Sequence, residues 1–203
     1  MNSSETIIKI DFKKILNSGK PVVIELGCGQ RKYYKDSIGI DFVDLPGVDI
    51  VADLEQGLSF LPDNSVDEIH SRHFLEHVVN FENLIRETTR VLKKGGRHTL
   101  IVPHFSNPFY YSDYSHKRAF GLYTFFYFVD PKYQLRRKVP CFYTDIRIKV
   151  LSQKYGFKTK FNPFKLLLGP IFNLHRCLQE FYEENLCFIF HCYELKIVYT
   201  PDK

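Results

Sequence analysis

Apolar residues in the first part of the chain come in short runs that each end on a carboxylate. Val22, Val23 and Ile24 precede Glu25; Ile38, Gly39 and Ile40 precede Asp41; residues 48–53 (Val-Asp-Ile-Val-Ala-Asp) close on Asp53. Runs this short and this rich in β-branched residues suit strands covered on both faces. Three in succession predict a parallel sheet with Glu25, Asp41 and Asp53 along one rim. That rim is the carboxyl end of the strands, where open α/β sheets bind their ligands. Gly27 and Gly29 follow the first run, and glycine there permits positive φ and lets a ligand lie against bare backbone. An acid at that point suits a ligand with hydroxyls or an ammonium group and suits a phosphate poorly.

The pattern continues in alternating elements. Ile7, Ile8, Phe12, Ile15 and Leu16 fall near helical spacing and predict a helix over 6–17, ended by Ser18 and Gly19. The interval from Gly29 to Asp41 is short, so the helix after the first strand is reduced to a turn through 30–36. A loop over 58–64 leads to a fourth strand over 66–71. Leu84, Ile85, Thr88, Val91 and Leu92 mark a helix over 81–92, stopped by Lys93-Lys94-Gly95-Gly96; lysines in a last turn favour the helix dipole. A fifth strand over 98–102 ends at Pro103. In the second half, 119–128 reads as a helix. Phe142, Ile146, Ile148 and Val150 alternate as in a strand that continues past Tyr155-Gly156 into 157–161, with a helix over 145–154 as the alternative. A helix over 171–184, starting after Pro170, and a strand over 194–200 complete the reading.

Glu25-Leu26-Gly27-Cys28-Gly29, followed by acids at 41 and 53, resembles the class I, Rossmann-like S-adenosylmethionine-dependent methyltransferases. Residues 67–77 resemble that family's fourth strand and following loop, and residues 87–103 its next helix, glycine turn and fifth strand. The likeness covers roughly residues 20–105 and is strongest to the branch that methylates small molecules, lipids and sugars. It implies an α/β fold: an open sheet of about seven strands, mostly parallel with the last strand antiparallel, and helices on both faces. It also implies S-adenosylmethionine as cofactor, held by Glu25, Gly27, Cys28, Gly29, Asp41, Phe42, Asp53 and Leu54, with His73 contributing its backbone to the wall. Two departures stand out: Arg31 occupies the place of a third glycine, and the first helix is clipped. The same departures argue against a nicotinamide dehydrogenase, which needs G-x-G-x-x-G opening a full helix so that a pyrophosphate meets backbone amides.

Composition narrows the class. The chain has 203 residues, 44% hydrophobic and 25% charged, as in one soluble globular domain spanning 1–203. A formal charge of +5 is too small to imply nucleic acid unless it is clustered. Five cysteines without a C-x-x-C pair argue against a disulfide framework or zinc site and fit a reducing cytoplasm. Residues 1–10 carry Glu5 and Lys9 without a long apolar core, so no secretory leader is expected. The longest apolar stretches fall well short of the roughly 20 residues that span a bilayer.

Methyl transfer from a sulfonium is an in-line displacement with an already activated donor, so alignment and water exclusion dominate. An alcohol acceptor also gains from a base. The segment after the fifth strand is the place for both, and from Phe105 to Phe128 eleven of 24 residues are aromatic. Residues 104–140 are therefore expected to form an aromatic lid over the acceptor, and 162–192 a helical elaboration. Asp113 and His116, three apart, suit a carboxylate orienting an imidazole base. His104, Tyr110 and Tyr111 are candidate acceptor contacts, and Lys117 and Arg118 suit an anionic group on it. His77 reads as a structural residue at a helix start. No His/Asp/Glu set has convincing metal-ligand spacing, so no metal site is expected. The reading is an O-methyltransferase acting on a small or carbohydrate-like acceptor, such as a bacterial surface-polysaccharide building block. An RNA or nucleotide methyltransferase using the basic run 132–138 is one alternative. A catalytically silent cofactor-binding subunit with an apolar surface over 164–190 is the other.

Overall fold

The computed structural model describes residues 6–158 and 165–203. Eight strands form one sheet: β1 (Ile7–Ile8), β2 (Val23–Leu26), β3 (Ile38–Asp41), β4 (Ile50–Val51), β5 (Val66–Arg72), β6 (Leu92–Pro103), β7 (Ile148–Gly156) and β8 (Glu194–Pro201). Their order is β1-β4-β3-β2-β5-β6-β8-β7. Strands β2 to β6 pair in parallel, and β8 runs antiparallel between β6 and β7. This is the expected Rossmann-like α/β sheet, with one strand more than expected. The apolar runs lie where their sequence suggests: Ile24, Leu26, Ile40, Ile50, Ile69 and Leu100 are fully buried. Strand order reverses at β2, which has β3 on one side and β5 on the other. Such a switch point opens a crevice at the strands' carboxyl ends.

The helices are α1 (Phe12–Leu16), α2 (Phe81–Val91), α3 (Lys165–Phe172) and α4 (Arg176–Asn185). In α2 the buried residues Phe81, Leu84, Ile85, Thr88 and Val91 recur at helical spacing and form one face against the core. The chain passes from α2 directly into β6, with Gly95 at φ +81° inside the strand rather than in a separate turn.

Several expected elements differ. The helix expected over 6–17 is a two-residue edge strand, paired antiparallel with β4, followed by the short α1. Its apparent helical period spans two elements, and Asp11 starts the second by accepting from Lys14 N at 3.0 Å. The helix expected over 119–128 is one 3-10 turn, Thr124–Phe128. Its rings go into the core, with Phe81 meeting Phe120, Phe125 and Phe128 at 5.6–6.0 Å between centroids. The helix expected over 171–184 is broken: α3 contains Pro170 and ends at Phe172, and α4 starts after His175. Asn173 occupies the break because its side chain pairs with both backbone groups of Tyr155, at 2.7 and 2.9 Å. Residues 148–156 are strand, as the alternation suggests, and the helix over 145–154 is absent; Phe142 lies outside the strand and is exposed. The expected continuation through 159–161 and the start of the elaboration at 162–164 lie outside the described residues.

One buried polar column ties the sheet to α2. Tyr199 Oη bonds Thr88 Oγ1 at 2.7 Å and His98 Nδ1 at 2.9 Å, and His98 Nε2 bonds Ser71 Oγ at 2.9 Å. His98 has no exposed surface, and burial holds its pKa down at about 3. The unfolded chain therefore binds a proton near pH 6.5 that the folded chain refuses. Stability contributed by this group is complete above pH 6.5 and is lost as pH falls toward 3. Unfolding free energies of wild type from urea titrations should fall over that window by up to about 1.4 kcal/mol per pH unit more than those of His98→Gln. Parallel pH profiles for the two proteins would contradict this.

Candidate functional site

The turn after β2 is built by hydrogen bonds to β3. Gly27 N donates to Ile40 O at 2.9 Å, and Gly29 N donates to the Asp41 carboxylate at 2.8 Å. Both glycines have positive φ, +66° and +59°. A Cβ on Gly27 would lie 2.5 Å from Phe74 Cδ2, so only glycine lets the loop after β5 close on this turn.

Glu25 is almost fully buried, and its carboxylate faces the loop rather than the cleft. Its two oxygens accept from Tyr33 N at 3.0 Å and Tyr34 N at 2.9 Å, with Ser37 Oγ at 3.3 Å. A carboxylate thus satisfies amides that a full helix would have offered to a phosphate. The expectation of a direct cofactor contact is corrected: Glu25 holds the 30–37 turn in place. Cys28 sits beneath the same turn against Val48 and Val51. Burial, followed by the nearby Asp41 and Glu25 charges, pushes its thiol up to about 12, so it stays protonated. It lines no cleft.

Asp41 and Asp53 are placed as the sequence suggests. Asp41 accepts from Gly29 N and Val43 N, and Asp53 caps the 3-10 turn Leu54–Gln56 through Glu55 N at 3.0 Å. Together with Gly27, Phe42 and Leu54 they form one wall of a cleft of 420 Å³. Phe74, His77 and Val78, from the loop after β5, form the other, with Glu55 at the edge. Glu55 fixes that loop by accepting from Val79 N and Asn80 N, both at 2.7 Å. A hollow of 440 Å³ lies elsewhere, against Lys149 and Val150 of β7, but no acid lines it.

His73 does not line the cleft. It sits at φ +47°, donates its backbone N–H to Ile101 O, and places its ring between Glu194 at 3.0 Å and Glu76 at 3.5 Å. Those bonds, Glu194's foremost, raise its pKa to about 9 and keep it an imidazolium.

The loop after β6 meets the loop after β5 directly. Lys117 N and Arg118 N both donate to Glu76 O, at 2.7 and 3.3 Å. This brings His116 beside His77, with ring centroids 5.0 Å apart. Asp113 Oδ2 lies 3.6 Å from His116 Nε2, but what orients the ring is the Tyr110 carbonyl, which accepts from Nδ1 at 2.9 Å. Asp113 Oδ1 instead accepts from Ser115 N and Ser115 Oγ, and these bonds hold its carboxyl below the usual range. Ser115 Oγ in turn lies 3.0 Å from His77 Nδ1. His104, expected to touch the acceptor, is fully buried with both ring nitrogens bonded, to Ser106 at 2.8 Å and Glu183 at 3.1 Å. It is an internal strut. Tyr110 is buried over His116, while Tyr111 and Lys117 are exposed and Arg118 lies flat on Phe81 at 4.8 Å. Phe74, Glu76 and His77 were not among the expected site residues.

Residues 24–100 match the family model described as a methyltransferase domain. The matched part, less than half of the chain, is thus similar to a methyltransferase domain. The match spans β2 to β6, including both walls of the cleft, and stops before the 104–140 segment. No curated protein matches the chain in sequence. Solved structures resemble it in fold. A SAM-dependent methyltransferase from Archaeoglobus fulgidus is 17% identical, with a TM-score of 0.54, over 93% of this chain and 89% of that one. An S-adenosylmethionine-dependent methyltransferase from Mesorhizobium loti is 15% identical, with a TM-score of 0.53, over 91% and 95%. Coclaurine N-methyltransferase, solved with N-methylheliamine and SAH, is 14% identical, with a TM-score of 0.51, over 94% and 69%. Among the described residues no helix is long and apolar enough to cross a membrane.

Proposed function

We infer that the protein is a methyltransferase that transfers the methyl group of S-adenosylmethionine to an oxygen of a small, carbohydrate-like acceptor. The observation that carries the donor side is the pair Asp41 and Asp53 on one wall of a cleft that passes the bare α-carbon of Gly27. A volume of 420 Å³ falls within the range of small-molecule sites. Asp41 accepts two backbone hydrogen bonds, and a carboxylate has room for about four. The remaining lone pairs suit the two hydroxyls of a ribose. Asp53 and Leu54 would flank the adenine, and Gly27 would leave room for the methionine end. The cofactor, when bound, supplies an electrophilic methyl group that needs only a correctly aimed nucleophile.

The acceptor is assigned to the loop after β6. Phe109, Tyr111 and Tyr114 expose more than half their surface there, offering amphipathic rings beside Lys117, which suits an acceptor with an anionic group. An acceptor hydroxyl must shed a proton, and the polar groups able to assist gather at one point: Glu76, His77, Asp113 and His116. The link to surface polysaccharide rests on family analogy. The basic run 132–138 supports an RNA acceptor poorly, because Arg136 pairs with Glu184 at 2.9 Å and Arg137 lies on Tyr123 at 5.1 Å.

One observation favours a second reading, a subunit that needs a partner for turnover. Leu166, Leu167, Leu174, Phe188 and Ile189 are all more than half exposed around the C-terminal helices.

Calorimetry with S-adenosylhomocysteine tests the donor site. Wild type should bind, and Asp41→Ala should bind about 10- to 100-fold more weakly, as expected for lost hydrogen bonds to a charged group. No affinity in wild type for either S-adenosylmethionine or S-adenosylhomocysteine would overturn the reading. Binding with methyl transfer only after addition of a partner would select the second one.

A further inference from the structure

Where the loops after β5 and β6 meet, Glu76, His77 and His116 each offer a ligand atom, these atoms lie within 4.8 Å of one another, and His77 also lines the cleft. Glu76 is 1% exposed, and its Oε2 is buried without a hydrogen-bond partner. A buried carboxylate oxygen in that state is costly and calls for a positive partner. His73 faces only the other oxygen, at 3.5 Å.

The two imidazoles are oriented toward the same need. His116 Nδ1 faces the Tyr110 carbonyl, which can only accept, so Nδ1 carries a proton; in the neutral ring Nε2, 3.6 Å from Asp113 Oδ2, is then the lone pair. Ser115 Oγ donates to Asp113 Oδ1 at 2.5 Å, because a carboxylate only accepts there. The same hydroxyl must then accept from His77 Nδ1–H at 3.0 Å, which leaves His77 Nε2 as a lone pair, 4.0 Å from the Glu76 carboxylate. In metal sites, ligand histidines are held in this way, with the far nitrogen donating to a carbonyl or a carboxylate-anchored group. Two imidazoles and one carboxylate with an open side form the donor set of catalytic zinc sites and related transition-metal sites.

We propose that Glu76, His77 and His116 bind a divalent transition-metal cation with an open coordination position facing the acceptor side of the cleft. The cation completes the Glu76 carboxylate and makes both imidazoles ligands rather than bases. An acceptor hydroxyl entering the open position becomes more acidic by coordination. Its proton passes to solvent and its oxygen is freed to attack. This last role rests on the methyltransferase reading; the binding of the cation does not.

The test uses untagged protein stripped with a chelator and titrated with Zn²⁺ by calorimetry and with Co²⁺ by absorbance. One equivalent should bind, and Co²⁺ should give a visible d–d band without the near-ultraviolet band of a thiolate. Glu76→Gln and His116→Gln should each weaken binding by about 100-fold or more, since each loses a direct ligand and second-shell losses alone cost 10–100-fold. Retained affinity for S-adenosylhomocysteine would show that the variants are folded. Absence of saturable binding, equal binding by both variants, or a thiolate band would overturn the proposal. Cation binding without any affinity for S-adenosylhomocysteine would uphold it and sink the methyltransferase reading instead.

Discussion

Alanine at position 27 should abolish measurable binding of S-adenosylhomocysteine while leaving the sheet folded. Two costs add at this residue. Its φ of +66° is a region that a residue with a Cβ enters at about 1–2 kcal/mol. The new methyl group would also stand 2.5 Å from Phe74 Cδ2 and 2.8 Å from Phe74 Cβ, so the ring and its backbone must both move. Phe74 forms the wall opposite Asp41 and Asp53, and its displacement changes the width of the cleft. A loss of at least 100-fold in affinity, about 2.7 kcal/mol, is the expected calorimetric result. Gly29→Ala is the control. Its φ is also positive, but a Cβ there meets nothing within 4 Å, so the loss should stay within about tenfold. Equal effects of the two substitutions would mean that the contact with Phe74 does not shape the site.

The gathering of Asp41, Asp53 and Gly27 at one cleft was legible because its signals are local. Asp41 and Asp53 end their strands by simple adjacency, and Gly27 announces a positive φ two residues after Glu25. Glu25 itself was misread for a physical reason. A carboxylate at a strand tip can face a ligand or face its own loop, and the clipped helix left Tyr33 and Tyr34 amides that needed an acceptor. The meeting of the loops after β5 and β6 depends on contacts distant in sequence. Glu76 and His77 meet His116 only because two loops are bonded backbone to backbone, and no spacing rule links positions 77 and 116. The aromatic run over 119–128 misled in a similar way, since its rings satisfy the core from a 3-10 turn as well as from a helix. His104 looked available because it follows a strand end, and what buries it is Glu183 on α4, 79 residues later.

Removing Glu183 should cost a large share of the protein's stability. Its side chain is 11% exposed and serves three partners at once. Both oxygens lie within 2.9 Å of Leu122 N, and Oε2 is 3.1 Å from both Tyr155 Oη and His104 Nε2. The tautomer of His104 is settled by its other nitrogen. Ser106 N donates to Nδ1 at 3.1 Å, so Nε2 carries the proton and donates to Glu183. Burial and this carboxylate drive the Tyr155 phenol far above its ordinary value, so it remains a donor as well. Glu183→Ala therefore strands an amide, a phenol and an imidazole N–H in the interior. At about 1–3 kcal/mol for each unsatisfied group, partly relieved by entering water, a net loss of roughly 3–5 kcal/mol is expected in urea denaturation. Glu183→Gln keeps one accepting oxygen but turns an NH₂ toward remaining donors, and should lose about half as much. The functional signature should be selective. Glu183 ties the loop after β6 to α4 and touches no wall of the 420 Å³ cleft, so S-adenosylhomocysteine affinity should change little in the glutamine variant while acceptor turnover falls. A Glu183→Ala protein within 1 kcal/mol of wild type would show that these donors find other partners.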